Sequence, residues 1–418
     1  MNTNSERALY VHVQLPGTLD TVPAALLKVE RQHDGTYVGR FRYGDKYLER
    51  PGAMALDPFH LPLGREIHEF TRSKGIPGIL RDAGPDAWGR RVIEHKLERA
   101  EADLDEIDYL LQGPQDGAGN LTFSNSVEPP SAKRNISRTH ELAKLIQAAE
   151  ALEEGRRVPR VLLEQIDTSL GGARAKATIE DHDRLWLGKF PEKRDPFNVP
   201  RAEHATLALA RRAGLNVCHA RLERIAPFDV LLVERFDRER VAGGDRRLGF
   251  ASAHTVLDCE DSVLERSRWS YPLLADEVRR WSSDPRADCA ELFRRMVFNA
   301  AISNTDDHPR NHALIYTAGG WRLSPAFDLL PAPAVSRDRR DLAMIVGDYG
   351  RSASVYNLLS QCGRFGLTPE AARGEISAIT RTVESWREQF TACGIGGADL
   401  TRLASAFLPP NFSRETPE

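Results

Sequence analysis

The chain has few cysteines and no short spacing between them. Five cysteines occur among 418 residues, at positions that lie far apart: Cys218, Cys259, Cys289, Cys362 and Cys393. Because no Cys-x-x-Cys pair is present, a structural zinc site or a disulfide framework is not expected. Scattered thiols are typical of proteins in a reducing cytosol.

Long apolar runs and a strong charge imbalance are also missing. The first residues, MNTNSERALY, contain no apolar signal core, and no run of about 18 apolar residues follows. We therefore expect a soluble cytoplasmic protein without a membrane segment. The net charge of −3 gives no general attraction to nucleic acid, and a hydrophobic content of 41% argues against a disordered chain.

The length and the residue patterns predict an α+β protein with more than one core. A chain of 418 residues is long for a single hydrophobic core. Alternation at 8–50 predicts an antiparallel sheet, and periodic charge at 86–112 predicts helix. A short strand at 120–124 and a helix at 139–152 are expected next. From Lys176 the order is strand, strand, helix, strand, strand, and the rest is mostly helical.

The most informative stretch is NTDDHPRN at 304–311, which is followed by Phe-Asp at 327–328. It contains Asp306, an amide at Asn311 and a second carboxylate at Asp328. In protein kinases one aspartate receives the proton of the acceptor hydroxyl, while an asparagine and another aspartate hold the metal ions that carry the nucleotide phosphates. Oxygen ligands suit Mg²⁺. The pattern predicts a phosphoryl transferase.

The spacing alone does not single out the base. Asp307 and His308 are neighbouring competitors for that role, and residues 304–306 could simply build a turn before the next strand. A Gly-Gly turn at 319–320 would let the chain fold back and return Asp328 to this loop. The three groups together are therefore a stronger signal than the loop by itself.

A loop of small residues, SLGGARAK, enters a strand at 169–176. Small side chains let backbone N–H groups approach phosphate oxygens. The predicted phosphate loop consists of Gly171, Gly172, Ala173, Arg174, Ala175 and Lys176. It matches neither GxGxxG nor the Walker pattern, so an ordinary glycine turn is the alternative.

Lys189 lies inside the apolar strand WLGKFP, where a charged side chain is costly unless it is paired. A nucleotide phosphate and a helix carboxylate would pair with it. Glu203 stands early in the following helix, where a kinase places the glutamate that pairs with its strand lysine. Lys176 and Lys193 are competitors for the phosphate contact, and an edge-strand lysine that points to water is the other interpretation.

The segment VERFDR at 233–238 ends the β-rich part of the chain. A connector between two lobes offers backbone groups to an adenine edge and an apolar face to the ring. This predicts ATP contacts at Glu234 and Phe236. The alternative for the connector is a strand end with a surface ion pair.

At this point the chain resembles the HipA-type toxin kinases of bacterial toxin–antitoxin systems. The resemblance rests on SLGGARAK, WLGKFP, VERFDR, NTDDHPRN and LSPAFDL, which occur in that order. Upstream, LDPFHLPL and GPDAWGRR look like the N-terminal subdomain of the family. The resemblance implies a bilobal, protein-kinase-like α+β fold. Its parts would be a β-rich N-terminal subdomain at 1–130, a nucleotide-binding lobe at 131–238 and a mostly helical catalytic lobe at 239–418.

The resemblance also implies a role for each matching residue. Asp306 would be the catalytic base, Asn311 and Asp328 would hold Mg²⁺, and Lys189 would contact the nucleotide phosphates. The hinge from Glu234 to Phe236, which includes Arg235, would contact the adenine, and His308 would also contact ATP. Ser169 falls on the family's regulatory serine, which is itself phosphorylated and then inactivates the kinase by displacing the loop.

Members of the family phosphorylate serine in a protein target such as glutamate–tRNA ligase, and a small helix-turn-helix antitoxin neutralises them. We therefore expect a serine/threonine protein kinase that uses ATP and Mg²⁺, acts on a protein substrate such as an aminoacyl-tRNA synthetase, and phosphorylates its own loop. Its expected partner is an antitoxin, through which alone it would reach operator DNA. Two alternatives remain: a small-molecule kinase for a sugar or aminoglycoside hydroxyl, and a pseudokinase or corepressor that only binds an antitoxin.

Overall fold

The computed structural model describes residues 6–130, 136–166, 174–317, 319–333, 340–414 and 416. Its contacts divide the chain into two compact units, each built from separate stretches of sequence. The first unit comprises Met1–Leu187, Arg235–Ala251 and Ile315–Gly319, and the second comprises Gly188–Glu234, Ser252–Leu314 and Gly320–Glu418. The three consecutive segments expected from the sequence stay a prediction.

The strands in chain order are β1 (Glu6–Gln14), β2 (Thr21–Arg31), β3 (Tyr37–Tyr43), β4 (His68–Phe70), β5 (Leu121–Ser124), β6 (Ser137–Arg138), β7 (Lys176–Asp181), β8 (Arg184–Lys189), β9 (Ala220–Ile225), β10 (Phe228–Glu234), β11 (Arg238–Val241), β12 (Gly244–Arg247), β13 (Gly249–Ser252), β14 (Ala313–Thr317) and β15 (Gly320–Leu323).

The α-helices are α1 (Asp45–Leu48), α2 (Gly78–Ala83), α3 (Ala87–Leu97), α4 (Glu106–Gln112), α5 (Leu142–Glu153), α6 (Arg160–Gln165), α7 (Val199–Arg212), α8 (Ala253–Val256), α9 (Tyr271–Trp281), α10 (Pro285–Ala301), α11 (Val355–Ser360), α12 (Pro369–Glu384), α13 (Trp386–Ala392) and α14 (Gly397–Leu403).

The first unit contains an antiparallel sheet in the order β4-β3-β2-β1-β5. Leu9 of β1 pairs with Leu27 of β2, which in turn pairs with Phe41 of β3. None of these three side chains has exposed surface. Because side chains alternate along each strand, this register gathers the apolar residues of neighbouring strands on one face. The sheet predicted from residues 8–50 is confirmed.

The charged stretch at 86–112, predicted to be helical, contains the two helices α3 and α4. The side chain of Asp86 caps α3 by accepting a backbone N–H of its first turn, and α3 ends where Glu98 adopts a left-handed conformation. The helix α4 then begins with a capping box between Asp105 and Asp108. A left-handed residue ends a helix because it turns the chain away from the helix axis, and the Arg99 N–H then bonds back to the Glu94 carbonyl.

The predicted order of strand, strand, helix, strand, strand is confirmed by β7, β8, α7, β9 and β10. In the second unit β9 and β10 form an antiparallel pair that joins Ile225 to Phe228 and Ala220 to Val233. The amphipathic helix α7 packs against both strands. This packing fixes the position of α7, the helix that follows β8 in the chain.

The helix α10 is central to the second unit and packs against α9 and α12. Its buried side chains include Phe293, Met296, Val297 and Phe298. After α10 ends at Ala301, a loop leads into β14 and β15, and the chain then continues to Asp328. No helix in the described ranges is long and apolar enough to cross a membrane.

Candidate active site

Lys189, the last residue of β8, binds two carboxylates of the second unit. Its Nζ donates to Oε1 of Glu203 at 2.6 Å and to Oδ1 of Asp328 at 2.6 Å. The exposed fraction is 13% for the Lys189 side chain and 5% for that of Glu203. Desolvation by itself would lower the pKa of Lys189, but the negative charges of Asp328 and Glu203 outweigh it and raise the pKa. The lysine is therefore cationic.

The start of α7 is anchored to β10, which places Glu203 opposite Lys189. The side chain of Asn198 caps the helix by accepting the Arg201 N–H. Asn198 Nδ2 donates to Asp229 of β10 at 2.5 Å, and Arg201 Nε donates to the same carboxylate at 2.9 Å. Burial would raise the pKa of Asp229, but these partners and Arg224 lower it to about 2. Glu203 follows within the first turns of this fixed helix.

The backbone holds Asp328 in an uncommon conformation. Its φ is +57°, in the left-handed region that costs a non-glycine residue energy. The residues just before it are fixed, because the Ala326 N–H donates to the Asn216 carbonyl at 2.8 Å and the Cys218 N–H donates to the Ala326 carbonyl at 3.0 Å. These bonds and the backbone conformation of Asp328 thus hold its carboxylate at Lys189. Strain of this kind is common at functional sites.

The segment Asn304–Asn311, called the base loop below, follows α10. Ser303 precedes it with a φ of +51°, and the Ser303 hydroxyl donates to the Ala406 carbonyl at 2.7 Å. Asn311 Nδ2 donates to the Asp306 carbonyl at 2.8 Å. The loop is therefore closed on itself, and the amide of Asn311 lies next to the backbone of Asp306.

The three neighbouring candidates for the base differ sharply in exposure. The Asp306 side chain is 88% exposed, whereas Asp307 has no exposed surface. The Asp307 carboxylate accepts the Tyr271 hydroxyl hydrogen at 2.7 Å and the Ala343 N–H at 2.6 Å. His308 is half-buried, and its Nε2 lies 3.9 Å from Asp306 Oδ1. Of the two aspartates, only Asp306 is exposed and can therefore contact a substrate.

Negative charge gathers around Asp306. Desolvation raises the pKa of Asp306, the charges of Asp328 and Asp261 raise it further, and His308 opposes them. Because the side chain is largely exposed, water screens much of this effect. The influence of the Asp328 charge on Asp306 agrees with the expectation that the two carboxylates lie near each other.

The predicted Mg²⁺ ligands are an amide and a carboxylate. Within the described ranges, His, Cys, Asp and Glu form no group of three or more that could hold a metal ion. Asn311 uses Nδ2 to donate to Asp306, which leaves its amide oxygen as the ligand atom, and Asp328 offers a carboxylate. Mg²⁺ commonly takes one or two protein oxygens and completes its shell with water and substrate phosphates. The two residues fit such an ion, and the assignment stays a prediction.

Half of the predicted phosphate loop, Gly171, Gly172 and Ala173, lies outside the described residues, as does Ser169. Arg174, Ala175 and Lys176 are described, and Ala175 and Lys176 are buried in the first unit. Lys176 Nζ donates to Asp86 Oδ2 at 2.5 Å, and each of the two side chains is less than 5% exposed. A phosphate contact of Lys176 stays a prediction, although its ammonium group is already paired.

Arg235, predicted to contact ATP, lies at the centre of a buried ion cluster of the first unit. Its guanidinium group pairs with Asp116 and Asp237, both at 2.9 Å. Arg238 pairs with the same two carboxylates, and Arg247 donates to four backbone carbonyls around them. The ion pair considered for this segment is present, but it is buried instead of lying on the surface. The side chain of Arg235 is thus committed to structure.

The two other connector residues use their main chain or ring within their own unit. The Glu234 N–H donates to the His219 carbonyl at 2.8 Å in the second unit. In the first unit the Phe236 ring stacks against Phe250 with centroids 6.5 Å apart. Contacts of Glu234 and Phe236 with adenine stay predictions.

Sequence reasoning missed the buried polar groups behind the base loop. They are Tyr271, Arg295 and Asn299, each of them at most 1% exposed. Arg295 donates to the Ser324 carbonyl at 2.6 Å and to Glu291 at 3.0 Å. A signal was available, because Arg295 and Asn299 interrupt the apolar end of α10, where a polar group needs a partner.

Two family models match the chain. The HipA-like C-terminal domain matches residues 168–387, which is more than half of the chain, and the HipA N-terminal domain matches residues 20–124. The chain belongs to the HipA family. The resemblance drawn from the five sequence segments is confirmed.

Two curated relatives of this HipA-family protein have names that describe them as kinases. The serine/threonine-protein kinase toxin HipA of Shewanella oneidensis is 25% identical over 200 residues, which cover 43% of this chain and 46% of that protein. The Sinorhizobium fredii protein named "Putative kinase Y4mE" is 28% identical over 346 residues, which cover 75% of this chain and 79% of that protein. The match thus spans less than half the length of the first relative.

The fold also matches a solved HipA structure. A chain of the Shewanella oneidensis MR-1 toxin–antitoxin complex of HipA, HipB and operator DNA aligns with a TM-score of 0.66 at 16% identity. The alignment covers 95% of this chain and 94% of that chain. At this identity the likeness shows the fold alone. The predicted α+β fold of the HipA type is confirmed.

Proposed function

We propose that the protein is a Mg-ATP-dependent serine/threonine protein kinase. The observation that carries the proposal is the cationic Lys189 held by Glu203 and Asp328, in the same unit as the exposed Asp306. Kinases use such a lysine–glutamate pair to hold nucleotide phosphates, and a second aspartate to hold the metal. The kinase names of the relatives support this choice.

In the proposed reaction the acceptor hydroxyl lies beside Asp306, whose carboxylate accepts its proton. The hydroxyl oxygen bonds to the γ-phosphorus while the bond from this phosphorus to the bridging oxygen breaks, and ADP leaves. Lys189 donates to the phosphate oxygens, and Glu203 keeps its side chain in place. Most of the rate then comes from positioning and from charge stabilisation.

Asn311 and Asp328 would hold Mg²⁺. When bound, the ion offsets the negative charge of the phosphate groups. Asn311 also closes the base loop through the Asp306 carbonyl, so one residue would serve both the metal and the placement of the base.

The protein substrate, the antitoxin and the toxin role come from the family. We propose that the chain acts as the toxin of a toxin–antitoxin pair and phosphorylates serine in a protein such as an aminoacyl-tRNA synthetase. The solved relative is in complex with HipB and operator DNA. This supports a helix-turn-helix antitoxin as the partner, with operator DNA reached through it.

Phosphate transfer tests the proposal directly. Purified full-length protein is incubated with Mg²⁺ and ATP labelled at the γ-phosphate, and label on protein is measured. Asp306→Asn should reduce the rate on the order of 10²–10⁴-fold while ATP still binds. Asp20→Asn, at an exposed position of the first unit, is the matched control and should keep the rate.

The same assay separates the alternatives. Label on small hydroxyl compounds such as aminoglycosides, with none on protein, would favour a small-molecule kinase. A wild-type protein that consumes no ATP would favour a binding-only corepressor. Near-native labelling by Asp306→Asn would show that the base is assigned wrongly.

A further inference from the structure

Asp307 stands next to the proposed base but has a different environment. Its side chain has no exposed surface. Oδ2 accepts the Tyr271 hydroxyl hydrogen at 2.7 Å, and Oδ1 accepts the Ala343 N–H at 2.6 Å. A single carboxyl group therefore joins the base loop to α9 and to the segment 343–346. Loss of either donor would leave a buried carboxyl oxygen without that hydrogen bond, which destabilises the fold.

The segment 343–346 is itself tied to the start of α9. The Ile345 N–H donates to the Trp269 carbonyl at 2.7 Å, and the Tyr271 N–H donates to the Ile345 carbonyl at 2.9 Å. These backbone bonds form a short parallel bridge at Ser270. Asp307 thus binds two elements that are already fixed to each other.

A second set of bonds holds the beginning of the base loop. The Tyr271 hydroxyl accepts a hydrogen from Asn299 Nδ2 at 2.9 Å. Asn299 Oδ1 accepts from Asn304 Nδ2 at 3.1 Å, and its backbone carbonyl accepts the Asn304 N–H at 2.9 Å. The loop is therefore held at Asn304 on one side of the base and at Asp307 on the other.

We infer that Asp307 is a positioning residue, which fixes Asp306 and couples the base loop to the segment 343–346. The inference rests on the proposed function of Asp306 as the base. Consecutive Cα atoms are about 3.8 Å apart, so anchoring Asp307 confines the backbone of Asp306. A displacement of about 1 Å can cost about 10²-fold in rate.

Two variants disturb this network from its two ends. Asp307→Asn keeps the shape but replaces one acceptor by a donor, while Tyr271→Phe removes only the hydroxyl group. The matched control is Tyr43→Phe in the first unit, because Tyr43 is equally buried and its hydroxyl donates to the Leu61 carbonyl and accepts the Leu56 N–H. All variants are made in the full-length chain.

The readouts are kcat and KM for ATP, together with amide hydrogen exchange of peptides covering 304–312 and 343–346. Asp307→Asn should lower kcat by about tenfold or more and leave KM for ATP unchanged. Tyr271→Phe should act in the same direction, and the double variant should lose less than the sum of the two single effects, because both variants disrupt the shared Asp307–Tyr271 bond. Exchange should become faster in both peptides together. Tyr43→Phe should lower Tm without changing kcat.

Wild-type kcat in Asp307→Asn, with Asp306→Asn inactive, would overturn the positioning role. If Asp307→Asn does not fold, Tyr271→Phe carries the test by itself. If the wild-type protein turns over no ATP, the proposed function fails, and hydrogen exchange alone decides the coupling. Joint opening of both peptides then supports it, and unchanged exchange at 343–346 overturns it.

Discussion

Lys189 Nζ lies 2.6 Å from Asp328 Oδ1, although 139 positions separate the two residues. The same ammonium group donates to Glu203 at 2.6 Å. An ammonium group has three donors, so one more can serve a phosphate oxygen while both carboxylates stay bound. Nucleotide binding can therefore add to this cluster without breaking the Lys189–Glu203 pair.

Replacing Lys189 should weaken ATP binding and destabilise the fold. In Lys189→Met the loss of a charge-assisted hydrogen bond should lower ATP affinity by about 10–100-fold. The buried Glu203 would lose its ion pair with Lys189, and removing one partner of a buried pair costs about 3–5 kcal/mol. Titration calorimetry with ATP and urea unfolding measure the two effects.

Two controls separate these effects. Lys189→Met combined with Glu203→Gln should recover part of the stability but none of the ATP affinity. Lys193→Met, at an exposed position, should change neither quantity. Unchanged ATP affinity in Lys189→Met would remove this residue from the site and turn attention to Lys176.

Asp328→Asn tests the metal site without altering the backbone. Asparagine tolerates the left-handed conformation that Asp328 adopts, so the variant should fold. The loss of a carboxylate ligand should reduce the rate on the order of 10²–10⁴-fold and raise the Mg²⁺ concentration needed for half-maximal rate. The measurement is ATP turnover across a Mg²⁺ titration, and a titration curve identical to that of the wild type would contradict the assignment.

Asp307 should make stability depend on pH. Burial raises the pKa of Asp307 to about 7, although hydrogen bonds from Tyr271 and backbone N–H groups oppose it. The folded state thus holds the proton more tightly than the unfolded state, where the pKa is near 4. The stabilisation that the protonated Asp307 gives the folded state is complete below about pH 4 and is lost as pH rises through about 7. The free energy of unfolding should therefore fall by about 2–3 kcal/mol between pH 5 and pH 8.

Two groups packed near Asp307 do not titrate in this pH window. Burial lowers the pKa of His312 to about 3, and burial raises the pKa of Tyr271 well above its usual value, so neither changes charge between pH 5 and pH 8. Arg295, also buried, stays a guanidinium cation paired with Glu291. Urea unfolding at both pH values measures the effect. The difference in unfolding free energy between wild type and Asp307→Asn isolates the contribution of Asp307. If the unfolding free energies of the two proteins changed with pH in parallel, the predicted contribution would be contradicted.

Phosphorylation of Ser169 should switch the protein off. The residue lies outside the described ranges, so this expectation rests on the sequence and on the family. A phosphate adds about −1.5 to −2 charges beside a loop that is expected to bind a polyanion. Mass spectrometry after incubation with ATP should locate the modification, and ATP affinity should then fall.

Neighbouring substitutions provide the controls for Ser169. Ser169→Ala should abolish the modification and Ser169→Asp should lower activity, whereas Thr168→Ala should change neither. Fully Ser169-phosphorylated protein that binds ATP like the unmodified form would refute the switch and leave the kinase proposal intact.

The parts of the site that the sequence could predict are those joined by short connections. Asp306 and Asn311 are five positions apart, and one amide hydrogen bond closes the loop between them. Lys189 and Glu203 are separated only by the link from β8 to α7, so strand and helix patterns already place them near each other. Asp328 follows β14 and β15, whose turn was visible as two glycines.

Other features depended on which distant chain segments pack together. Asp306 and Asp307 are the same residue type at adjacent positions, and only packing against Tyr271 and Ala343 buries one and exposes the other. Lys176 finds its carboxylate 90 positions away at Asp86. Such partners cannot be recognised from a periodic pattern in the sequence. A buried charge needs an opposite charge nearby in space, and the two residues can be any number of positions apart. The sequence by itself thus determined the order of elements and the set of reactive groups, while the tertiary structure decided which of them reach solvent.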